Sequence, residues 1–190
     1  MPHDILAIWP PCEMFYLVSM RFLTESAMRS IEAVATEIER TQRDFSRSNQ
    51  DVTLNHLQNV VGMGAALSRY FWPVREGHGK RGELLRKRFK VTEASPLKSR
   101  DLRNAIEHFD EKLDIYLSKG IVGVIIPHYI GPFLESDGVP GHLFRAYYTD
   151  RGEFEVLGQR FPIPPLAEEI ARIDDMLQTS ERSGGRLPHV

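Results

Sequence analysis

The sequence predicts a mainly α-helical protein: an up-down helical bundle of about four helices, followed by a β-hairpin and a C-terminal helix. Three observations support this fold class. Apolar residues recur at three- and four-residue spacing through most of the first 120 residues. Shorter runs rich in β-branched and aromatic residues follow, separated by Gly, Pro and Asp. Helical spacing then returns after the prolines of residues 162–165, and the length of 190 residues suits about one domain.

Two long helices are predicted at the start of the chain. The first covers residues 13–47, and a polar run at residues 46–50 ends it. The second covers residues 52–72, and Pro73 ends it because proline cannot continue the backbone hydrogen bonding. The predicted core positions of the first helix are Leu17, Met20, Leu23, Ala27, Ile31, Val34, Ile38 and Phe45.

Two further helices complete the predicted bundle. A short basic helix covers residues 82–91. The next helix has the clearest start signal in the chain, since Ser95 is a good N-cap and Pro96 suits the first helical position. It is predicted to continue without a break over residues 96–119, with Gly120 as its terminator. Its apolar stripe consists of Leu102, Ala105, Ile106, Phe109, Leu113, Tyr116 and Leu117.

The chain after Gly120 predicts strands and a last helix. Residues 121–130 suggest a strand or an extended connection, and residues 142–149 and 153–156 flank a turn to form a hairpin whose second strand extends to Phe161. A helix over residues 166–178 follows. The aromatic residues of the hairpin are expected to cover one end of the bundle in preference to forming a binding surface: Phe144, Tyr147, Tyr148, Phe154 and Phe161.

These elements give a predicted organisation in four parts. Residues 1–12 form an N-terminal extension, and residues 13–120 form the helical bundle. Residues 121–179 form the hairpin and the terminal helix, packed on the bundle. Residues 180–190 are small and polar and contain two glycines, so they are expected to be a disordered tail.

Composition excludes several functional classes. The single cysteine, Cys12, cannot form an internal disulfide, so a cytoplasmic location is expected. The chain shows no secretory signal, and its apolar stretches are shorter than the ~20 residues of a membrane span, so no membrane contact is expected. Phosphate-loop, dinucleotide-binding and zinc-protease motifs are absent, and no two histidines lie three or four residues apart. We therefore expect neither a cofactor nor a metal.

One segment departs from the overall charge. The chain has a formal net charge of −2, yet residues 75–103 contain ten Lys and Arg against four Asp and Glu. Such a segment is either a solvated face or a surface that follows phosphates. In the second case the substrate-binding residues are Arg86, Lys87, Arg88 and Arg100.

A second signal lies at the end of this basic segment, where Arg103, Asn104 and His108 follow the pattern Arg-Asn-x-x-x-His. On a helical wheel that starts at Leu102, Asn104 lies near about 200° and His108 near about 240°, on the side opposite the core. Arg103 lies on the flank, about 140° from His108. One helix therefore holds the Arg and the His apart, whereas a twofold dimer can pair the Arg of one chain with the His of the other.

Residues 102–110 resemble the Arg-polar-x-x-x-His motif of the HEPN domains, a family of helical bundles. The resemblance covers about residues 13–120 and leaves the hairpin and the terminal helix unexplained. It implies a metal-independent endoribonuclease in a toxin–antitoxin or other defence setting, a homodimer, RNA as the substrate and an antitoxin protein as a partner. Arg103, Asn104 and His108 carry over as the catalytic residues.

Two other functions remain open from the sequence. The same fold can serve as a non-catalytic dimerisation module or as an RNA- or nucleotide-binding module, and the acidic net charge of the whole chain favours this reading. The chain can also be an unrelated helical protein in which Arg103 and His108 are ordinary surface residues. Incubation with RNA in EDTA separates the three hypotheses.

Overall fold

The computed structural model describes residues 8–43, 49–104, 109–120, 122–135 and 141–189, without the side chains of residues 41–43, 100 and 103. The helices are α1 (Glu13–Arg43), α2 (Gln50–Phe71), α3 (Gly79–Arg88), α4 (Arg100–Asn104), α5 (Phe109–Ser118) and α6 (Ile163–Arg182). The strands are β1 (Val124–Gly131), β2 (Gly141–Tyr148), β3 (Glu153–Val156) and β4 (Gln159–Pro162). Helix predominates, so the mainly α-helical prediction is confirmed.

Three long helices, α1, α2 and α6, form the core. α1 packs along α2, and α6 packs against both. The side chains between them are buried: Leu17, Met20 and Ala27 of α1, Leu54, Leu57, Val60 and Phe71 of α2, and Ile170, Ile173 and Leu177 of α6. Burial of each larger side chain contributes about 1.5–3 kcal/mol of transfer free energy. The C-terminal helix, predicted as an addition to the bundle, is thus one of its three main helices.

The first two helices are confirmed with small changes at their ends. α1 is described through Arg43, and the predicted core residue Phe45 lies outside the described residues. α2 begins after Asn49, whose side-chain oxygen accepts a hydrogen bond of 3.3 Å from the backbone N–H of Val52. The basic helix α3 begins at Gly79, three residues earlier than predicted.

The helix predicted over residues 96–119 is not continuous. Ser95 does act as a cap, but Pro96–Lys98 form a short 3-10 turn, and Ser99 is extended at φ −51°, ψ 126°. The Ser99 hydroxyl accepts a hydrogen bond from the N–H of Leu102, so this second serine starts α4 anew. α5 contains no fully buried residue, although its stripe was predicted as core. Gly120 has a φ of +78°, as a helix terminator requires.

The sheet has the strand order β1-β2-β3-β4, with β1 parallel to β2 and the other two pairs antiparallel. The predicted hairpin is confirmed, since Tyr148 pairs with Glu153 across the turn. Its second strand does not extend to Phe161, however. Leu157 and Gly158 have φ values of 49° and 77° and turn the chain back in a two-residue hairpin, so residues 159–162 form β4.

The two faces of the sheet have different partners. Tyr147, Phe154 and Phe161 join the helical core, as predicted. Tyr148 belongs to a separate small cluster with Leu143 and Ala146. The ring of Phe144 instead contacts α5 through Phe109.

The C-terminal segment departs most from its prediction. α6 begins at Ile163, with Pro164 and Pro165 in its first turn, and it extends to Arg182. Residues 183–189 are also ordered, and Leu187 is only 3% exposed. A carboxylate oxygen of Glu13 accepts hydrogen bonds from Nε of Arg186 at 2.8 Å and from the N–H of Leu187 at 3.0 Å. The prediction of a disordered tail is therefore wrong for residues 180–189.

Candidate functional site

The predicted catalytic motif is described only at its first residues. Leu102 of α4 is buried and Asn104 is exposed, as the helical wheel expects. The backbone carbonyl of Asn104 accepts a hydrogen bond from the amine of Lys112 on α5. The side chain of Arg103 and the whole of His108 lie outside the described residues. The structure therefore leaves the distance between the predicted catalytic Arg and His untested.

Most of the described arginines of the basic segment have intramolecular roles. Arg86 donates a hydrogen bond to the carbonyl of Phe71 and lies 5.6 Å from the centre of the Trp72 ring. Phe71 is the last residue of α2, so this cation satisfies an orphan carbonyl at a helix C-terminus. Arg88 donates to the carbonyl of Pro188 at 3.0 Å.

The remaining predicted substrate-binding residues differ in position. Lys87 is exposed, and the side chain of Arg100 lies outside the described residues. Arg75 and Lys90, which the sequence also placed in the basic segment, are exposed as well. The described part of the segment therefore presents Arg75, Lys80, Lys87, Lys90 and Lys98 to solvent, and Lys98 pairs with Glu93. Arg81, Arg86 and Arg88 instead donate hydrogen bonds to backbone carbonyls of the fold.

A polar cluster that the sequence did not reveal lies between α2 and the sheet. Asp51, Asn55 and Gln58 share one face of α2, at a spacing of four and three residues. His128 of β1 and Arg145 of β2 are register partners in the parallel pair, so both point toward that face of α2. We call these five residues the α2–sheet cluster.

Hydrogen bonds connect all five members of the α2–sheet cluster. Nη1 of Arg145 donates to Oδ1 of Asn55 at 2.5 Å and to Oε1 of Gln58 at 3.3 Å. Nη2 of Arg145 lies 3.1 Å from Nε2 of His128, and Nδ1 of His128 contacts the carboxylate of Asp51. Because a guanidinium only donates, Nε2 of His128 must be the acceptor. The imidazole is therefore neutral and carries its proton on Nδ1, where it donates to Asp51.

The guanidinium of Arg145 is only partly satisfied. Burial lowers the pKa of Arg145, while the negative charge of Asp51 opposes that shift. Nε of Arg145 is buried and has no hydrogen-bond partner among the described residues. The ring of Phe144 lies 5.6 Å from the guanidinium carbon and supports it from one side. The cluster thus combines a neutral imidazole, a carboxylate that orients it and a cation with an unused donor.

Aromatic contacts connect this cluster to the helix that follows the predicted motif. The rings of His128 and Phe144 are 6.2 Å apart, and the ring of Phe144 lies 5.8 Å from that of Phe109. Phe109 is the first residue of α5 and follows His108 directly in the chain. The C-terminal neighbour of the predicted motif therefore packs against the wall of the α2–sheet cluster.

The sequence could not reveal this cluster because its members come from three separate segments. His128 and Arg145 lie in strands whose pairing is parallel, and neither strand carries a motif at fixed spacing. Asp51 lies in the first turn of α2, where any acidic residue favours the helix dipole, so its type and position indicate no further role. Only the parallel register of β1 and β2 places the His and the Arg side by side.

The surface also carries an exposed apolar row on α1. Phe15, Val18 and Phe22 lie on one helical face and are 74%, 53% and 66% exposed, and Met14 and Trp9 are exposed nearby. Phe15 also lines a shallow cavity with Tyr70 and Arg81. We call Phe15, Val18 and Phe22 the α1 apolar row.

Comparison with known proteins adds no assignment to this geometry. No family model matches the chain, and neither the curated proteins nor the solved structures yield a match. Within the described ranges, no three His, Cys, Asp or Glu side chains are grouped so that they could hold a metal ion. None of the helices described there is both long and apolar enough to cross a membrane.

Proposed function

We propose that this protein is a metal-independent endoribonuclease of the HEPN type, with Arg103, Asn104 and His108 as its catalytic residues. The observation that carries the proposal is the orientation of α4. Leu102 packs into the core while Asn104 is exposed, so the Asn104 side chain of the motif is available to a substrate. A toxin–antitoxin or defence role, with an antitoxin protein as a partner, belongs to the same proposal.

The chemistry requires little from the protein because RNA carries its own nucleophile. The 2′-oxygen forms a bond to phosphorus and loses its proton, and the bond from phosphorus to the 5′-oxygen breaks as that oxygen gains a proton. The products are a 2′,3′-cyclic phosphate and a 5′-hydroxyl. His108 transfers a proton, and such transfer typically contributes about 10²–10⁴-fold. Arg103 binds two phosphate oxygens with its planar fork and stabilises the charge that develops at phosphorus.

A homodimer is part of this proposal. The helical wheel predicts that Arg103 and His108 diverge by about 140°, so a second chain can supply the missing partner. The α1 apolar row offers an exposed apolar surface of the kind that oligomers bury. Sedimentation of a Phe15→Glu, Phe22→Glu double variant identifies the interface. The variant stays dimeric if the face of α4 forms the interface, and it becomes monomeric if the α1 apolar row does.

The test of the proposed activity is cleavage of mixed RNA by the pure protein in EDTA. We expect His108→Ala to lose at least about a hundredfold in rate while its helical circular dichroism is unchanged. Arg103→Lys should also be slow, because a point charge does not replace the guanidinium fork. His189→Ala is the matched control, since His189 is exposed at the far end of the chain. Equal rates for His108→Ala and the parent protein, or activity only with added Mg²⁺, would contradict the proposal.

A second candidate is a non-catalytic module that binds RNA or nucleotides, or that only dimerises. The intramolecular roles of Arg86 and Arg88 favour it, because they reduce the number of cations available to phosphates. In the same assay this candidate gives RNA binding without cleavage, or neither activity together with a stable dimer.

A further inference from the structure

We propose that the α1 apolar row, together with the cavity that Phe15 lines, binds the unpaired bases of single-stranded RNA. In this arrangement Phe15 and Phe22 stack on bases, and Arg69 contacts a phosphate. The inference rests on the proposed function, from which it takes RNA as the ligand, and it names where the strand lies on the protein. Its residues belong to α1 and α2, so none of them is part of the Arg-Asn-x-x-x-His motif.

The first observation is that two aromatic rings of α1 lie in solvent. Phe15 is 74% exposed and Phe22 is 66% exposed, although phenylalanine is a residue type that is usually buried. The two residues are seven positions apart, which is two helical turns or about 10 Å along the axis. That length equals about three stacked bases at ~3.4 Å each. Exposed rings stack on the bases of single strands because every base has a π-face.

The second observation is the composition of the cavity beside Phe15. Its volume is about 320 Å³, and six residues line it: Phe15, Tyr16, Ser19, Arg69, Tyr70 and Arg81. The lining therefore provides three aromatic rings and two cations, and no carboxylate of the described residues belongs to it. This volume lies at the lower end of the range of about 300–1,000 Å³ for ligand pockets, so the cavity suits one flat ring system.

Contacts within the protein hold the wall of this cavity in place. The hydroxyl oxygens of Ser19 and Tyr70 are 2.5 Å apart, and the rings of Tyr16 and Tyr70 meet edge to face at 6.3 Å. Nη2 of Arg81 donates to the backbone carbonyl of Arg69 at 2.9 Å, and the Arg81 guanidinium lies 5.9 Å from the centre of the Tyr70 ring. Arg81 is thus a fixed part of the wall. The side chain of Arg69 is exposed, so it is the cation that we assign to a phosphate.

Charge and area favour a nucleic acid over a second copy of this chain as the occupant. The positive charge beside the rings matches a polyanion, and Lys80, which precedes Arg81 on α3, is exposed as well. Even with Trp9 added, the row exposes roughly 500 Å² of apolar side chain, less than the ~800 Å² that each partner buries in a standard protein interface. The face of α4 is then left for the dimer.

The experiment measures binding of a labelled single-stranded RNA of about 10 nucleotides, and of the matching duplex, in EDTA. The His108→Ala background prevents cleavage. We expect Phe15→Leu and Phe22→Leu each to weaken single-strand binding by about 5- to 100-fold, the range for the loss of one stacked base. Duplex binding should be unchanged, because paired bases offer no free face. Val18→Ala is the matched control, since it removes apolar surface between the two rings without removing a ring.

The phosphate contact is tested by the salt dependence of the same binding reaction. Arg69→Gln should lower the slope of log affinity against log salt by about 0.7, the value for one phosphate of a single strand. Lys119→Gln is the matched control, because Lys119 is exposed beyond the end of α5. An equal change in both variants would show that Arg69 acts only through the overall charge, and it would overturn the assigned phosphate contact.

Three results would overturn the stacking site itself. Equal losses in Val18→Ala and Phe15→Leu would identify a general apolar contact. Unchanged affinity of Phe22→Leu would confine binding to one nucleotide in the cavity and exclude a strand along α1. A monomeric Phe15→Glu, Phe22→Glu variant would identify the row as the dimer interface.

Cleavage assays separate this inference from the proposed function. If the parent protein cleaves RNA in EDTA and Phe15→Leu cleaves it with the same KM, the stacking site is wrong and the proposed function stands. If the parent protein binds single strands through Phe15 and Phe22 but does not cleave them, the proposed function is wrong and the stacking site stands. Absence of both binding and cleavage overturns both.

A second measurement does not depend on the folding of a variant. Single-stranded RNA that contains 5-bromouridine, with 2′-O-methyl riboses elsewhere to block cleavage, is irradiated on the parent protein. Mass spectrometry then locates the crosslinked peptide. We expect the peptide of α1 that contains Phe15 or Phe22. Crosslinks confined to elements other than α1 and the C-terminal end of α2 would overturn the inference.

Discussion

At the residue scale, the buried hydroxyl of Tyr148 makes the stability of the folded protein depend on pH. Its O–H donates to Oε2 of Glu155 at 3.1 Å, and Nε of Arg160 donates to the same oxygen at 2.7 Å. Burial, and then the negative charge of Glu155, raise the pKa of Tyr148 above the usual value of about 10. Ionisation would place two negative charges together in an apolar cluster with Leu143 and Ala146.

The sign of the pH effect follows from this shift. Tyr148 binds its proton more tightly in the folded state, so its contribution to stability is fully present below about pH 10. It is lost as the pH rises from there through the folded-state pKa, because the unfolded chain has then lost a proton that the folded chain retains. We expect Tyr148→Phe to reduce this alkaline loss, measured by urea unfolding at about pH 9 and about pH 11. If the free energy of unfolding of Tyr148→Phe falls as steeply between these two pH values as that of the parent protein, the alkaline loss of stability does not come from Tyr148.

Arg86 and Arg88 show why residue type alone does not reveal which cations of the basic segment have intramolecular contacts. Both belong to a run of three cations on a short helix, which is also how a phosphate-binding surface looks in a sequence. Their side chains instead reach carbonyls of Phe71 and Pro188, which are 15 and 100 residues away. The sequence does not show those carbonyls to be free, because their availability depends on where α2 ends and on the ordered C-terminal segment.

At the element scale, the junction of α2 and α3 depends on Gly82. A Cβ at this position would lie 2.5 Å from the carbonyl oxygen of Phe71 and 2.6 Å from Pro73. The same carbonyl oxygen accepts the hydrogen bond of Arg86. A shift of α3 away from the carbonyl of Phe71 would therefore break the hydrogen bond that caps the C-terminus of α2.

We therefore expect Gly82→Ala to destabilise the protein by about 2 kcal/mol, as overpacking typically does. Gly79→Ala, in the same helix, is the matched control because a Cβ there meets nothing within 4 Å. Chemical denaturation of both variants gives the comparison. Equal stability of the two variants would show that α3 can shift away from α2.

The elements that the sequence predicts well are those whose signal is long. α1, α2 and α6 repeat their apolar positions over several turns, so their existence follows from periodicity. The predictions fail where one or two residues determine where an element begins, ends or turns. Ser99 competes with Ser95 as a cap and divides the predicted fourth helix, and Leu157 adopts a left-handed conformation that its residue type disfavours. Leu187 is ordered by a carboxylate on α1, which no local signal could indicate.

At the scale of the whole molecule, the exposed cations of the basic segment make a prediction about RNA binding. Arg75, Lys87 and Lys90 are exposed, whereas Arg86 and Arg88 are engaged. If Arg75, Lys87 and Lys90 contact phosphates, replacement of these three residues by Gln should reduce the slope of log affinity against log salt by about 2. Replacement of Arg29, Lys119 and Arg182, which are exposed outside the segment, is the matched control.

The measurement is a salt titration of binding to single-stranded RNA, with the inactive His108→Ala background to prevent cleavage. An unchanged slope in the first triple variant would identify the segment as a solvated face. Equal changes in both triple variants would indicate attraction by overall charge without a defined path for the RNA.

The contact between α1 and α6 has a consequence for the order of folding. Arg21 of α1 pairs with Asp174 of α6 at 2.5 Å across 153 residues of chain, and Thr24 donates to the same carboxylate. During synthesis on the ribosome, α1 and α2 can dock early because only a short connection separates them. The side of α1 and α2 that faces α6 then stays uncovered until the strands and α6 have emerged. The contact between α1 and α6 closes a loop of about 153 residues, so it forms late and slowly. A nascent chain stalled before α6 should therefore expose Leu17 and Met20 to chaperones, and it should be released from them once α6 is available.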